Sequence, residues 1–257
     1  MEHFLKETIK KAGGIALGYF GTELETKTKS NLADLITQAD IAVSDYIVHA
    51  IGQAYPDHHI RCEELDEDIN PGAPYEWVID PIDGTRNFAQ GIPFWCTIIA
   101  LMKDGERYMG AVYNPVSEHL FFAEKGKGAY LNDRRIHVNT VQSMDAAFGV
   151  FSRANNMGIY GDYIERYRAA NAKLVLQSES WIHNYGCSLQ LCYLASGGVD
   201  FVTGNAGMDW DYLAAFLICE EAGARLTDSD GNEWKRGRQD YVMANPDLHP
   251  KVMELFR

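Results

Sequence analysis

The sequence predicts a layered α/β protein, and two observations carry that expectation. Residues 94–130 hold four short extended segments separated by turn signals, the pattern of an antiparallel meander. Beyond about residue 145, short apolar runs alternate with helical stretches, as in stacked sheets and helices.

Taken in order, Phe4, Leu5, Ile9, Ala12, Ile15, Ala16 and Tyr19 recur at helical spacing, with Gly13-Gly14 weakening the middle of this first helix. Leu24 to Lys29 reads as a short strand. Thr37-Gln38-Ala39-Asp40 has the form of a capping box, before a helix whose apolar face carries Ile41, Val43, Tyr46, Ile47 and Ala50 and which ends near Tyr55-Pro56. His58 to Cys62 forms a strand that leads into Glu63-Glu64. Trp77-Val78-Ile79 is a buried strand that should stop abruptly at Asp80-Pro81, because proline removes a ladder donor and fixes its own φ. Arg86 to Gly91 supplies one or two helical turns. The meander comprises Phe94–Met102, Tyr108–Tyr113, Leu120–Ala123 and Ala129-Tyr130, with Asp104-Gly105 closing its first hairpin and Asn132-Asp133 making a later turn. In the second half, Phe148–Phe151, Leu174–Leu176, Val199–Thr203, Arg225–Thr227 and Tyr241–Ala244 read as strands. Tyr160–Ala172, Cys187–Ala195 and Trp210–Glu221 read as helices. With no repeat, low-complexity tract or linker, residues 1–257 read as one domain. It subdivides softly near residue 145, into a larger antiparallel-sheet half (1–145) and a mixed α/β half (146–257).

A net charge of −13 argues against nucleic acid as the main partner, since phosphate-backbone binding needs concentrated Lys and Arg. It does not exclude a small phosphorylated molecule, because a bound cation inverts the local charge. The five cysteines form no CxxC pair and no zinc spacing, and no basic leader precedes them, which points to a reducing cytoplasm. No run of about eighteen uncharged apolar residues exists to span a membrane.

The chemistry concentrates in Asp80-Pro81-Ile82-Asp83-Gly84-Thr85. Two carboxylates, a pinned turn, a glycine and a hydroxyl emerge together at a strand end. Asp80, Asp83 and the Ile82 carbonyl are oxygen donors suited to a hard cation such as Mg²⁺. Gly84 lets backbone approach a ligand closely. Glu63, Asp40, Asp211 and Asp209 are further acidic positions able to converge on this turn, although an Asp near a helix start is ordinarily a cap. Asp228-Ser229-Asp230-Gly231 is a turn rather than a calcium loop, since the later glutamate is missing.

Jointly these pieces resemble the inositol monophosphatase family. Trp77 to Phe88 matches its first signature. Trp210-Asp211, Ala214-Ala215 and Glu221-Ala222-Gly223-Ala224 match its second. Ala33 to Asp40, Glu63-Glu64 and Glu124 to Tyr130 add support, so the likeness extends over most of the chain. The resemblance implies an αβαβα sandwich of the inositol monophosphatase/fructose-1,6-bisphosphatase type, and a lithium-sensitive phosphomonoesterase. It implies two or three Mg²⁺ held by Glu63, Asp80, the Ile82 carbonyl, Asp83 and Asp211. Catalytic roles fall to Thr85, Asp40 and Glu63. Substrate or phosphate contacts fall to Asp83, Gly84, Thr85, Asp211 and Lys29. The implied substrate is a small phosphorylated molecule, inositol 1-phosphate by default, and the implied assembly is a homodimer. Two departures bear on this: Cys62 stands where the family usually has glycine, and Gly204 where inositol-hydrolysing enzymes place a glutamate. Histidinol phosphate, fructose 1,6-bisphosphate and a 3′-phosphonucleotide therefore stay open as substrates, as does a dual regulatory protein-binding role.

Overall fold

The computed structural model describes residues 1–22, 26–28, 35–152, 161–205 and 207–257. Helix α1 (Glu2–Tyr19) is followed by an antiparallel pair, β1 (Thr26–Thr28) and β2 (Leu35–Thr37), and by α2 (Gln38–Ala54). Next come β3 (His59–Cys62), β4 (Tyr75–Asp83), the short α3 (Thr85–Ala89), β5 (Cys96–Lys103), β6 (Glu106–Asn114), β7 (His119–Glu124), β8 (Gly128–Leu131) and β9 (Arg134–Ile136). Strands β3 to β9 form one seven-stranded sheet in chain order, antiparallel throughout except for the parallel β3–β4 pair. The remaining elements are β10 (Phe148–Phe151), α4 (Gly161–Gln177), β11 (Trp181–His183), α5 (Leu189–Ala195), β12 (Phe201–Gly204), α6 (Asp209–Glu221), β13 (Arg225–Thr227), β14 (Tyr241–Ala244) and α7 (His249–Glu254). Their strands make a five-stranded mixed sheet in the order β11-β10-β12-β14-β13.

Successive strand residues point to opposite faces, and here both faces are apolar. On β4 and β5, Trp77, Ile79, Ile99 and Leu101 pack under α1 and α2, while Val78, Ile98, Ala100 and Met102 pack against α5 and α6. The second sheet divides likewise: Val202 and Met243 face α5 and α6, and Phe201, Val242 and Ala244 face α4 and α7. The layers are therefore helix, sheet, helix, sheet, helix, an αβαβα sandwich. Because each sheet is covered on both sides, its strands are nearly continuous apolar runs. Helix α6 lies unusually close to the large sheet. A Cβ on Gly110 would sit 2.8 Å from the Ala214 Cα, so glycine on the strand and alanine on the helix set that separation.

The Asp104-Gly105 and Asn132-Asp133 turns form as expected, with positive φ at all four residues. Several expectations need correction. Strand β4 does not stop at Asp80 but runs through Pro81 to Asp83. From Asp80 to Asp83 it takes three steps while β5 takes two, Ile98 to Cys96, so Pro81 falls within a bulge. On its other side β3 ends at Cys62 opposite Ile79, so the proline costs no ladder bond there. Leu174–Leu176 is not a strand but the last part of α4: Leu174 is buried while Val175 and Leu176 are exposed, as helical geometry requires. Strands β2, β9 and β11 and helix α7 have no counterpart among the elements expected from sequence. Lys29, Ala33 and Asp34 lie outside the described residues. Among those described, no helix is long and apolar enough to cross a membrane.

Candidate active site

The β4 bulge presents Asp80, Ile82 and Asp83 in succession, and the next residue turns the chain. Gly84 adopts φ 87° and ψ 36°, a left-handed conformation that favours glycine. A Cβ there would also approach the Cys187 Cβ at 3.2 Å and the Phe94 carbonyl oxygen at 3.3 Å. Thr85 then opens α3 and its Oγ1 donates to the Ile82 carbonyl at 3.0 Å. One carbonyl thus fixes the hydroxyl that follows it.

Other elements bring further carboxylates. Because β3 runs parallel to β4 and ends opposite Ile79, Glu63 emerges alongside Asp80, its N–H donating to the Ile79 carbonyl at 3.1 Å. Asp211 sits in the first turn of α6, where its Oδ2 accepts from the Met208 N–H. Asp40 holds the equivalent place in α2: its Oδ2 accepts from the Thr37 N–H at 2.7 Å and from the Thr37 hydroxyl. Both are helix caps, as their sequence positions allowed, and both also lie near the turn.

One carboxyl oxygen from each of Asp80, Asp83 and Asp211 falls within 4.8 Å of the others. Asp80 is buried, and its Oδ1 has no hydrogen-bond partner. Burial pushes its pKa well above the usual carboxylate range, and the charges of Glu63, Asp83, Asp211 and Asp40 push it further. Asp211 is raised strongly too, by desolvation and then by Asp83. Asp83 is raised to about 6, burial outweighing three hydrogen bonds that work downward. Asp209 does not join this group. It accepts from Arg236 Nε at 2.6 Å and pairs with Arg61 at 3.6 Å.

The structure adds residues that the sequence did not nominate. Asp83 Oδ2 accepts from the Ser188 N–H at 2.5 Å and from the thiols of Cys187 (3.2 Å) and Cys96 (3.5 Å). These residues are 105, 104 and 13 positions away in the chain, so no local pattern marks them. Cys62 is buried, 3.3 Å from the Ser44 hydroxyl, and burial lifts its thiol to about 11; it is no exposed oxidation site. At Gly204 a Cβ would meet the Tyr241 ring at 2.3 Å, so an aromatic ring fills the space that a longer side chain would need.

A sequence model of the inositol monophosphatase family matches residues 1–257. The chain belongs to this family. It is a phosphoric monoester hydrolase. Among similar proteins is the fructose-1,6-bisphosphatase/inositol-1-monophosphatase of Thermotoga maritima, 28% identical over 98% of this chain and 94% of the relative. A protein of Neisseria meningitidis serogroup B named putative Nus factor SuhB is 31% identical over 100% of this chain and 98% of its own. The crystal structure of the extragenic suppressor protein SuhB from Bartonella henselae superposes with a TM-score of 0.92 at 27% identity, covering 100% of this phosphatase and 98% of that chain.

Proposed function

We propose that the protein hydrolyses a small phosphomonoester with Mg²⁺ as its metal, and that inositol 1-phosphate is the first substrate to test. The observation carrying this reading is the buried, unpartnered Asp80 Oδ1 beside the carboxylates of Asp83 and Asp211. Three oxygen donors that repel one another make a poor resting arrangement without a cation and a good one with a hard divalent ion. Asp80, Asp83 and Asp211 would hold it, with Glu63 and the Ile82 carbonyl completing the site for two or three ions. Such an ion, when bound, neutralises phosphoryl charge and makes water a better nucleophile.

The chain's own residues supply position. Thr85 Oγ1 donates to the Ile82 carbonyl, which leaves its lone pairs to accept a hydrogen bond from an attacking water and so orient it. The water's proton would pass to the Asp40 carboxylate, a role carried over from the family resemblance. The backbone N–H groups of Gly84 and Thr85 would bind phosphate oxygens, since phosphoryl transfer needs orientation more than covalent help. Lys29 is carried over from the family resemblance alone. The Tyr241 ring beside Gly204 favours a leaving group that needs no carboxylate contact at that point, which keeps other small phosphomonoesters in the comparison.

Phosphate release from inositol 1-phosphate, histidinol phosphate, fructose 1,6-bisphosphate and adenosine 3′,5′-bisphosphate, each with Mg²⁺, with EDTA and with Li⁺, tests this reading. Mg²⁺-dependent, lithium-sensitive turnover of one compound supports it; turnover indifferent to EDTA contradicts it. A second role, regulatory and dependent on protein contacts, is supported by the relative named as a Nus factor. Co-elution of Asp83→Asn protein in a stoichiometric complex would favour that role, and elution at its own mass would count against it. A homodimer in a cytoplasmic setting is the assembly proposed, and sedimentation velocity tests the dimer.

A further inference from the structure

Asp83 is held on one side by unusual donors. Its Oδ2 takes three hydrogen bonds, from the Ser188 N–H, the Cys187 thiol and the Cys96 thiol. No hydrogen bond from the described residues reaches its Oδ1. The two sulfurs are themselves 3.7 Å apart, so they flank the same oxygen as a pair. Both cysteines are buried, at 0% and 5% exposure for Cys96 and Cys187, which leaves water little access to that side of Asp83.

The donors come from two directions. Cys96 begins β5, directly opposite Asp83 in the sheet register. Cys187 and Ser188 lead into α5, in a segment that is itself tethered to the turn: Asn87 Nδ2 donates to the Tyr185 carbonyl at 2.8 Å and to the Phe94 carbonyl at 2.7 Å. The Cys187 side chain also lies over Gly84, where a Cβ would approach it at 3.2 Å. One segment from the second half of the chain is thus bolted to the end of β4 at three neighbouring points.

We propose that Cys187 and Cys96 are positioning residues that fix the rotation of the Asp83 carboxylate, so that Oδ2 faces protein and Oδ1 faces the metal. This rests on the reading of Asp83 as a metal ligand. A thiol is well suited to this role because it is a weak donor; it orients the carboxylate while drawing little charge from it. Outer partners of metal ligands commonly alter metal affinity or activity by about 10- to 100-fold when removed.

The test is a Mg²⁺ titration of phosphate release, paired with calorimetric Mg²⁺ binding, on Cys96→Ala, Cys187→Ala, Cys187→Val and Cys187→Ser. The Mg²⁺ concentration for half-maximal rate should rise about 10-fold or more in the alanine variants. Cys187→Ser, which keeps a donor, should titrate close to wild type, and Cys187→Val, which fills the volume without one, should follow alanine. A packing role alone would lower the thermal midpoint and leave the Mg²⁺ titration unmoved; that result overturns the proposal, as does equal behaviour of serine and valine. Asp83→Asn separates the positioning role from the metal site it depends on. If that variant retains Mg²⁺-dependent turnover, the metal site itself fails. If it is inactive while every cysteine variant titrates like wild type, only the positioning role fails.

Discussion

Asp83→Asn should make the metal-free protein more stable, not less. The Asp83 carboxyl has a pKa of about 6 in the fold against an ordinary 3.8, chiefly because it is buried. Folding therefore favours its protonated form, and at neutral pH the ionised group costs the fold on the order of 3 kcal/mol, the free-energy equivalent of that difference. An asparagine at this position can turn its carbonyl oxygen to the Ser188 N–H and the two thiols and place its NH₂ toward Asp80 and Asp211. The three hydrogen bonds survive while the charge is removed. For a chain of this length roughly 2–4 °C accompanies each kcal/mol, so the midpoint should rise by roughly 6–12 °C. The sign with pH follows from the raised value: the penalty is full above about pH 6, shrinks as acid protonates the folded group, and is gone below 3.8. Differential scanning calorimetry in EDTA at pH 7.5 and pH 4 reads both ends of that window, and the two proteins should converge at the acid end. Added Mg²⁺ should stabilise the wild type by about 2.7 kcal/mol at a hundredfold excess over its dissociation constant and leave Asp83→Asn unmoved. A variant no more stable than wild type in EDTA at pH 7.5 would refute the reasoning.

Other perturbations address separate parts of the structure. Thr85→Ala should lower kcat by about 100-fold with a smaller change in KM, the size expected for lost proton-transfer assistance; a rise in KM alone would reassign Thr85 to substrate binding. Gly84→Ala should lower stability by about 1–2 kcal/mol from its left-handed φ alone, and more from contact with Cys187 and Phe94; an unchanged urea midpoint would contradict the described turn. Arg236→Ala should cost about 2 kcal/mol, since its guanidinium donates to both Glu76 oxygens (2.7 and 2.8 Å) and to Asp209. Burial works upward on the Glu76 pKa, but the hydrogen bonds and charge of Arg236, with the charges of His59 and Arg61, leave it lowered, so this stabilisation is present at neutral pH and fades as acid protonates Glu76. Urea denaturation at pH 7 and at pH 3 should therefore give a large difference from wild type at the first and a small one at the second.

Signals that act within a few residues were readable in advance. The capping box at Thr37–Asp40 and the Asp104-Gly105 turn depend on local backbone geometry, and both form. The layered architecture followed from the two patterns of apolar runs, since double coverage of each sheet is what makes those runs continuous. The carboxylates gathered near the turn were also legible, because each stands at a strand end or a helix start. What failed depended on context beyond the local window. Pro81 stays in a strand because a bulge and the end of β3 remove its missing donor from the ladder. Leu174–Leu176 looks like a strand because three aliphatics in a row carry no period; only the packing of Leu174 under the second sheet decides for helix. The Asp83–Cys187 contact and the Arg236–Glu76 pair join the two halves of the chain, and nothing in either segment announces its partner.

The most direct test of the central claim uses Asp80, the carboxylate with a buried oxygen lacking any partner. Initial rates of phosphate release should be measured for wild type and Asp80→Asn over a Mg²⁺ series, with EDTA as the zero point. The wild type should turn over in proportion to bound Mg²⁺ and not at all in EDTA, and Asp80→Asn should lose turnover at every Mg²⁺ concentration while remaining folded. Near-normal rates in folded Asp80→Asn would contradict a metal site built on this carboxylate.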